Sequence, residues 1–157
     1  LKRAMGRRSD HSRDELKALI IQHGHELMTE VGFEKFSARA VAKRVGYSIG
    51  TVYNVFESHD DLILHINAQT LSSWKSKIAL YLKRMPDDPV RALVDGYIDF
   101  ALENSNCWLA LYNHQMADGH KVPIWYQDKL NDFLSLLSSE IENRLPNLLA
   151  EERTALA

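Results

Sequence analysis

The sequence predicts an all-α fold: a three-helix unit built around a helix-turn-helix, followed by a larger helical region. Three observations predict it. Apolar residues recur at three- and four-residue spacing in seven segments, and no stretch shows the alternation of a half-buried strand. Ser12, Ser37, Ser48 and Ser58 each stand just ahead of a periodic run, where a hydroxyl accepts an orphan backbone N–H. Gly32, Gly46, Pro86, Pro89 and Pro146 punctuate the runs where helices must stop.

Composition narrows the classes. The 157 residues, 45% hydrophobic and 25% charged, are ordinary for a globular chain and exclude a disordered one. A single cysteine, Cys107, forbids an intrachain disulfide and fits the cytoplasm. Residues 1–17 are basic and polar without the apolar segment of a signal peptide, and no run reaches the roughly eighteen apolar residues that span a bilayer. The net charge of −2 conceals an asymmetry. The first 55 residues hold ten Lys or Arg against six acids, a surplus of four, while the rest hold nine against fifteen. A basic front and an acidic back suit a chain that presents one end to a polyanion.

The elements follow in order. Residues 1–11 carry Lys2, Arg3, Arg7 and Arg8 without periodicity and read as a basic arm, suited to a phosphate backbone or minor groove, or as a solubilising tail. Ser12 and Glu15 form a capping box ahead of Leu16, Leu19, Ile20, Leu27 and Val31, predicting a helix over 13–31 that Gly32 stops. His23 and His25 lie two apart within it and face different ways, which argues against a shared metal.

Short helices over 38–45 and 49–54 come next. Ala42 supplies the small residue at their crossing, Gly46 the turn residue free to take positive φ, and Val52 the branched residue that locks the second helix to the first. Phe56 plugs the three-helix core. Ser58 and Asp61 cap a long helix on which Leu62, Ile66, Thr70, Trp74, Ile78 and Leu82 step by four to Arg84, about 37 Å at ~1.5 Å per residue. Val90, Leu93, Val94, Tyr97, Ile98, Ala101 and Leu102 predict an amphipathic fifth helix. A sixth is expected over 107–116, closed by Asp118 and Gly119. A seventh starts at Pro123 and runs towards Leu145, and a new helical pattern opens at Leu148.

The stretch over 36–62, FSARAVAKRVGYSIGTVYNVFESHDDL, with the helix before it, resembles the DNA-binding domain of the TetR-type (TetR/AcrR) transcriptional regulators. Ser37, Ala42, Gly46, Gly50, Thr51, Val52, Tyr53, Phe56 and Leu62 carry the likeness, which covers residues 13–66. Two positions depart from it: Ile49 and His59 stand where the family often has Lys. Affinity is then expected to lean on Arg39, Lys43 and the arm, or to fall as pH rises where a protonated His59 binds.

The resemblance implies an arm (1–11), a helix-turn-helix DNA-binding domain (12–57) and a helical effector-binding and dimerisation domain (58–157). It implies a repressor that sits as a homodimer on a palindromic double-stranded DNA operator and responds to a small-molecule effector; no cofactor, metal or membrane partner is expected. The family's two further C-terminal helices would begin near Leu148, so the chain is expected to be part of a longer protein.

In a helix-turn-helix the second helix enters the major groove, which points to Ile49, Gly50, Thr51, Tyr53 and Asn54. Asn54 suits an adenine edge, Thr51 a phosphate or a thymine methyl, and Gly50 a close backbone approach; by resemblance Tyr53 is a phosphate contact. Ser37, Arg39, Lys43, Ser48 and His59 are the other candidates on the DNA side. Trp74, Tyr97, Phe100, Trp108, Tyr112, Met116, Trp125 and Phe133 are more aromatic mass than short helices need for packing, and are the candidate lining of an apolar effector pocket.

Cys107, His114, Asp118 and His120 have no ligand spacing that favours a metal. No nucleophile–base order, paired carboxylates or phosphate loop argues for an enzyme. Two other classes fit the same residues: a non-specific DNA-binding or protein-interaction module, and a helical small-molecule-binding protein with no DNA role.

Overall fold

A computed structural model describes residues 11–117 and 121–144. Among them are seven α-helices and no strand: α1 (Arg13–Val31), α2 (Ala38–Val45), α3 (Ile49–Val55), α4 (His59–Arg84), α5 (Pro89–Glu103), α6 (Ser105–Asn113) and α7 (Ile124–Arg144), with a 3-10 turn at Phe33–Lys35. The fold class is the one the periodicity predicts. The expectations for the basic arm, for Asp118, Gly119 and His120, and for the chain from Leu145 onward lie outside the described residues.

Local chemistry sets the first four helices. Ser12 accepts the Glu15 N–H at 3.2 Å while the Glu15 carboxylate accepts the Ser12 N–H at 2.6 Å, completing the capping box. Ser37, Ser48 and Ser58 accept from Ala40, Thr51 and Asp61. Gly46 has φ +77° and ψ 23°, the left-handed conformation that turns α2 into α3. Ala42 and Val52 are buried between them.

Two hydrophobic cores share α4. The first gathers Ile20, Leu27 and Met28 of α1, Val41 and Ala42 of α2, Val52, Phe56, and Leu62, Ile63 and Ile66 from the start of α4. The second takes Leu64, Leu71, Trp74 and Ile78 from α4 with Phe100, Tyr126 and Phe133. At the change-over sit the only two buried polar side chains among the described residues, Asn67 and Thr70, which donate to Ala110 O (3.4 Å) and Ile66 O (3.3 Å). The first core also takes Cys107 and Ala110 from α6, so its packing does not end at residue 57. Asn106 donates to Thr29 O at 2.8 Å and the Thr29 hydroxyl lies 3.1 Å from the Cys107 sulfur, fastening α6 to α1.

Three expectations need correction. Helix α6 spans Ser105–Asn113 rather than 107–116. Its start moves because Asn104 alone makes the corner: its N–H ends α5 on Phe100 O and its carbonyl accepts the Trp108 N–H. Its end moves because His114 leaves helical geometry at φ −74°, ψ 122° and reaches Asp60, which leaves Met116 outside the helix. Pro123 precedes α7 instead of opening it, its carbonyl accepting from Tyr126 and Gln127. The third concerns α5. Its buried line is Ala92, Gly96 and Phe100, while Val90, Val94, Ile98 and Leu102, read as core-facing, are exposed.

Candidate nucleic-acid interface

Helices α2 and α3 turn one face to the protein and the other to solvent. Val52 is buried, whereas Ile49 (37% exposed), Gly50, Tyr53 (42%) and Asn54 face outward. Ser48 caps α3 and its Oγ lies 3.0 Å from the Thr51 hydroxyl, so both oxygens are fixed at the helix N-terminus. A Cβ at Gly50 would meet only Ser48 Oγ, at 3.6 Å, so the fold itself does not demand glycine there. Ser37, the N-cap of α2, and Arg39 and Lys43 within it are exposed, and neither cation forms an ion pair with another described residue. Arg44 differs. Its guanidinium donates twice to Glu30, at 3.0 Å through Nη1, a hydrogen bond that raises the arginine pKa and holds the carboxyl below its usual range.

Two further groups on this face escape sequence reasoning. Arg13 Nη2 donates to the Asn54 carbonyl at 3.5 Å, placing a cation beside the end of α3, and His11 Nδ1 lies 2.9 Å from the Tyr47 hydroxyl. Both pairings are long-range in the chain and leave no spacing signal. His59 is exposed with its ring 6.0 Å from that of Phe36, which anchors it at the first turn of α4.

Residues 20–66 match the family model of bacterial regulatory proteins, tetR family. These residues form a DNA-binding domain of the tetR-family type. The match supports a DNA-binding transcriptional regulator and runs from Ile20 within α1 through α2 and α3 to the first turns of α4. No curated protein matches the chain.

Behind the DNA-binding unit, the protein carries an apolar groove of about 440 Å³. Its walls are Trp74 and Ile78 of α4, Leu93, Val94, Tyr97 and Ile98 of α5, and Leu137 of α7. Of the eight candidate lining residues, Trp74 and Tyr97 reach it. Phe100 and Phe133 stand behind Trp74, the first stacked at 5.6 Å and the second 4.6 Å away between ring centres. Trp108 packs edge-on to Tyr97 and against Tyr112, off the groove. Met116 packs on the second core from the segment after α6, and Trp125 lies against His65, 4.2 Å between ring centres. The aliphatic walls had been indistinguishable in the sequence from ordinary core positions.

Polar contacts join this region to the DNA-binding unit. His114 Nε2 lies 3.0 Å from Asp60 Oδ1, and the Ala117 N–H donates to Oδ2 at 3.3 Å. The hydrogen bond from His114 holds the Asp60 carboxyl below the usual range. His65 wedges between Phe56 (5.4 Å) and Trp125, and burial pushes its pKa down, helped by Lys17 and opposed by Asp61. Among the described residues no group of three His, Cys, Asp or Glu is placed to hold a metal, and no helix is long and apolar enough to cross a membrane.

Proposed function

We propose that this protein is a TetR-family cytoplasmic repressor that binds a palindromic operator as a homodimer and releases it when a small, largely apolar molecule enters the α4–α5–α7 groove. One observation carries the reading: Trp74 and Ile78 of the groove wall and Leu62, Ile63 and Ile66 of the DNA-unit core lie on one continuous helix. A ligand that displaces the wall therefore acts on the rod that begins directly after α3. The differential contact it makes with the two positions of α4 supplies the free energy of release.

On DNA, Ile49, Gly50, Thr51 and Asn54 face the major groove, and Ser37, Arg39, Lys43, Ser48, Tyr53 and His59 flank it towards phosphates. Exposure of all ten side chains or backbones bar the half-buried Thr51 supports this arrangement. Two such heads must stand about 34–36 Å apart to read successive major grooves, which is why the reading needs a dimer.

The test begins with selection of a binding site from random duplexes and a fluorescence-anisotropy titration. A selected palindrome should outcompete random duplex, and Thr51→Ala with Asn54→Ala should abolish the preference while circular dichroism is unchanged. Equal competition by random duplex would reduce the protein to a non-specific binder. For the ligand half, compounds that raise the melting temperature should release the bound operator; stabilising compounds that leave it bound would sink the switch.

A further inference from the structure

The groove also constrains what enters it. Its walls are carbon, and several polar groups on the surrounding helices are engaged with one another: Lys77 with Glu103 at 2.8 Å, Arg91 with Asp95 at 3.3 Å, and Tyr81 with Asp99. A charged ligand seated there would be desolvated without a counter-charge, which is heavily penalised. One polar group is nevertheless unanswered. Trp74 is 6% exposed and lines the groove, and its buried indole Nε1–H has no hydrogen-bond partner. Its ring is enclosed by Tyr97 (5.3 Å), Phe100 and Phe133, none of which offers that nitrogen an acceptor. Buried indole N–H groups ordinarily find a partner, and one left unpaired is destabilising.

Resting on the groove reading above, we propose that the effector is an uncharged, largely apolar molecule bearing a hydrogen-bond acceptor, a carbonyl- or ether-type oxygen, that takes up the Trp74 indole N–H. Tyr97 is the way in. It is 41% exposed, forms a wall of the groove and packs against Trp74, so in this proposal a rotamer change of Tyr97 admits the acceptor without moving a helix. The indole N–H of half-buried Trp108 is also buried and unpartnered, but that residue lies off the groove and serves as the internal control. Selectivity follows from the mismatch. A hydrocarbon of the same shape fills the groove yet leaves the N–H unanswered.

Acetophenone, ethylbenzene and benzoate are matched probes: one ring each, with a neutral acceptor, no acceptor and a charge. The three tryptophans give three indole N–H cross-peaks in a ¹⁵N–¹H spectrum, assigned with Trp108→Phe and Trp125→Phe. Acetophenone should move the Trp74 cross-peak downfield, and ethylbenzene should not. The ratio of acetophenone to ethylbenzene affinity should drop roughly three- to ten-fold in Trp74→Phe and hold in Trp108→Phe. A downfield shift shared by both neutral probes, a ratio that survives Trp74→Phe, or tightest binding by benzoate would each overturn the inference. If none of the probes perturbs Trp74 or Leu137, the groove itself is not a ligand site, and the inference falls with it.

Discussion

Gly46, in the turn after α2, and Gly50, at the start of α3, stand four residues apart and are glycine for different reasons. At Gly46 nothing lies within 4 Å of an added Cβ, yet φ is +77°, so the backbone angle alone selects glycine. Gly46→Ala should therefore destabilise by about 1–2 kcal/mol, read as a lower urea midpoint with an unchanged slope. At Gly50 an added Cβ meets only Ser48 Oγ at an ordinary 3.6 Å. Gly50→Ala should leave stability unchanged or raise it by up to about 1 kcal/mol through helix propensity, while operator affinity falls because the methyl holds the backbone off the DNA. Full operator affinity in that variant would remove the close approach from the proposed interface. Two histidines set a pH limit at the same scale. Burial lowers the pKa of His25 and of His65, so between those depressed values and the unfolded value of about 6.5 the unfolded chain binds more protons. Their contribution to stability is complete above about pH 6.5 and is lost as pH falls. Urea midpoints measured from pH 8 down to pH 5 should decline, and His25→Gln with His65→Gln should flatten the decline.

The elements show why some of the fold was legible in the sequence and some was not. Helices α1, α2, α3 and α4 are bounded by caps and stops written within a few residues of each end, such as Ser12 with Glu15 and Gly46 in its left-handed turn. Periodicity plus capping therefore located them. Helix α5 defeated the same reasoning because its face is decided by how closely it crosses α4. A Cβ at Gly96 would come within 3.0 Å of Ile78 Cδ1, so the small-residue line Ala92–Gly96 turns inward and the larger Val94 and Ile98 turn out. Hydrophobic spacing ranks large residues above small ones and cannot register a close approach. The end of α6 was hidden likewise, since His114 is drawn out of the helix by Asp60, 54 residues away. That contact ties the segment following α6 to the first turn of α4 and predicts a coupling. Asp60→Asn and His114→Ala should each weaken ligand-driven release more than operator binding, and their double variant should be non-additive by at least about 0.5 kcal/mol. Additive effects in that cycle would leave the pair a local brace. Ionised Asp60 contributes stability present above the unfolded carboxylate value of about 3.9 and lost as pH falls through its lowered folded value.

At the scale of the molecule, charge separates the end that meets DNA from the rest. The surplus of four positive charges in the first 55 residues and the deficit of six beyond favour approach of a polyanion from one side. Not every cation on that side is available. Arg39 and Lys43 are exposed without a described ionic partner, whereas Arg44 is held by Glu30. Operator affinity should fall linearly with log salt, with a slope of about −0.9 per phosphate neutralised. Arg39→Ala and Lys43→Ala should each make that slope shallower by about 1 and weaken selected and random duplexes alike, because a phosphate contact carries no sequence information. Arg44→Ala should leave the slope unchanged, its charge being already matched within the protein. Thr51→Ala with Asn54→Ala should do the opposite of the α2 variants, keeping the slope while erasing the preference for the selected site. Anisotropy titrations of these variants from 50 to 300 mM salt, on selected and random duplex, separate the two behaviours. A slope that Arg39→Ala and Lys43→Ala leave untouched would move the phosphate-contacting surface away from α2.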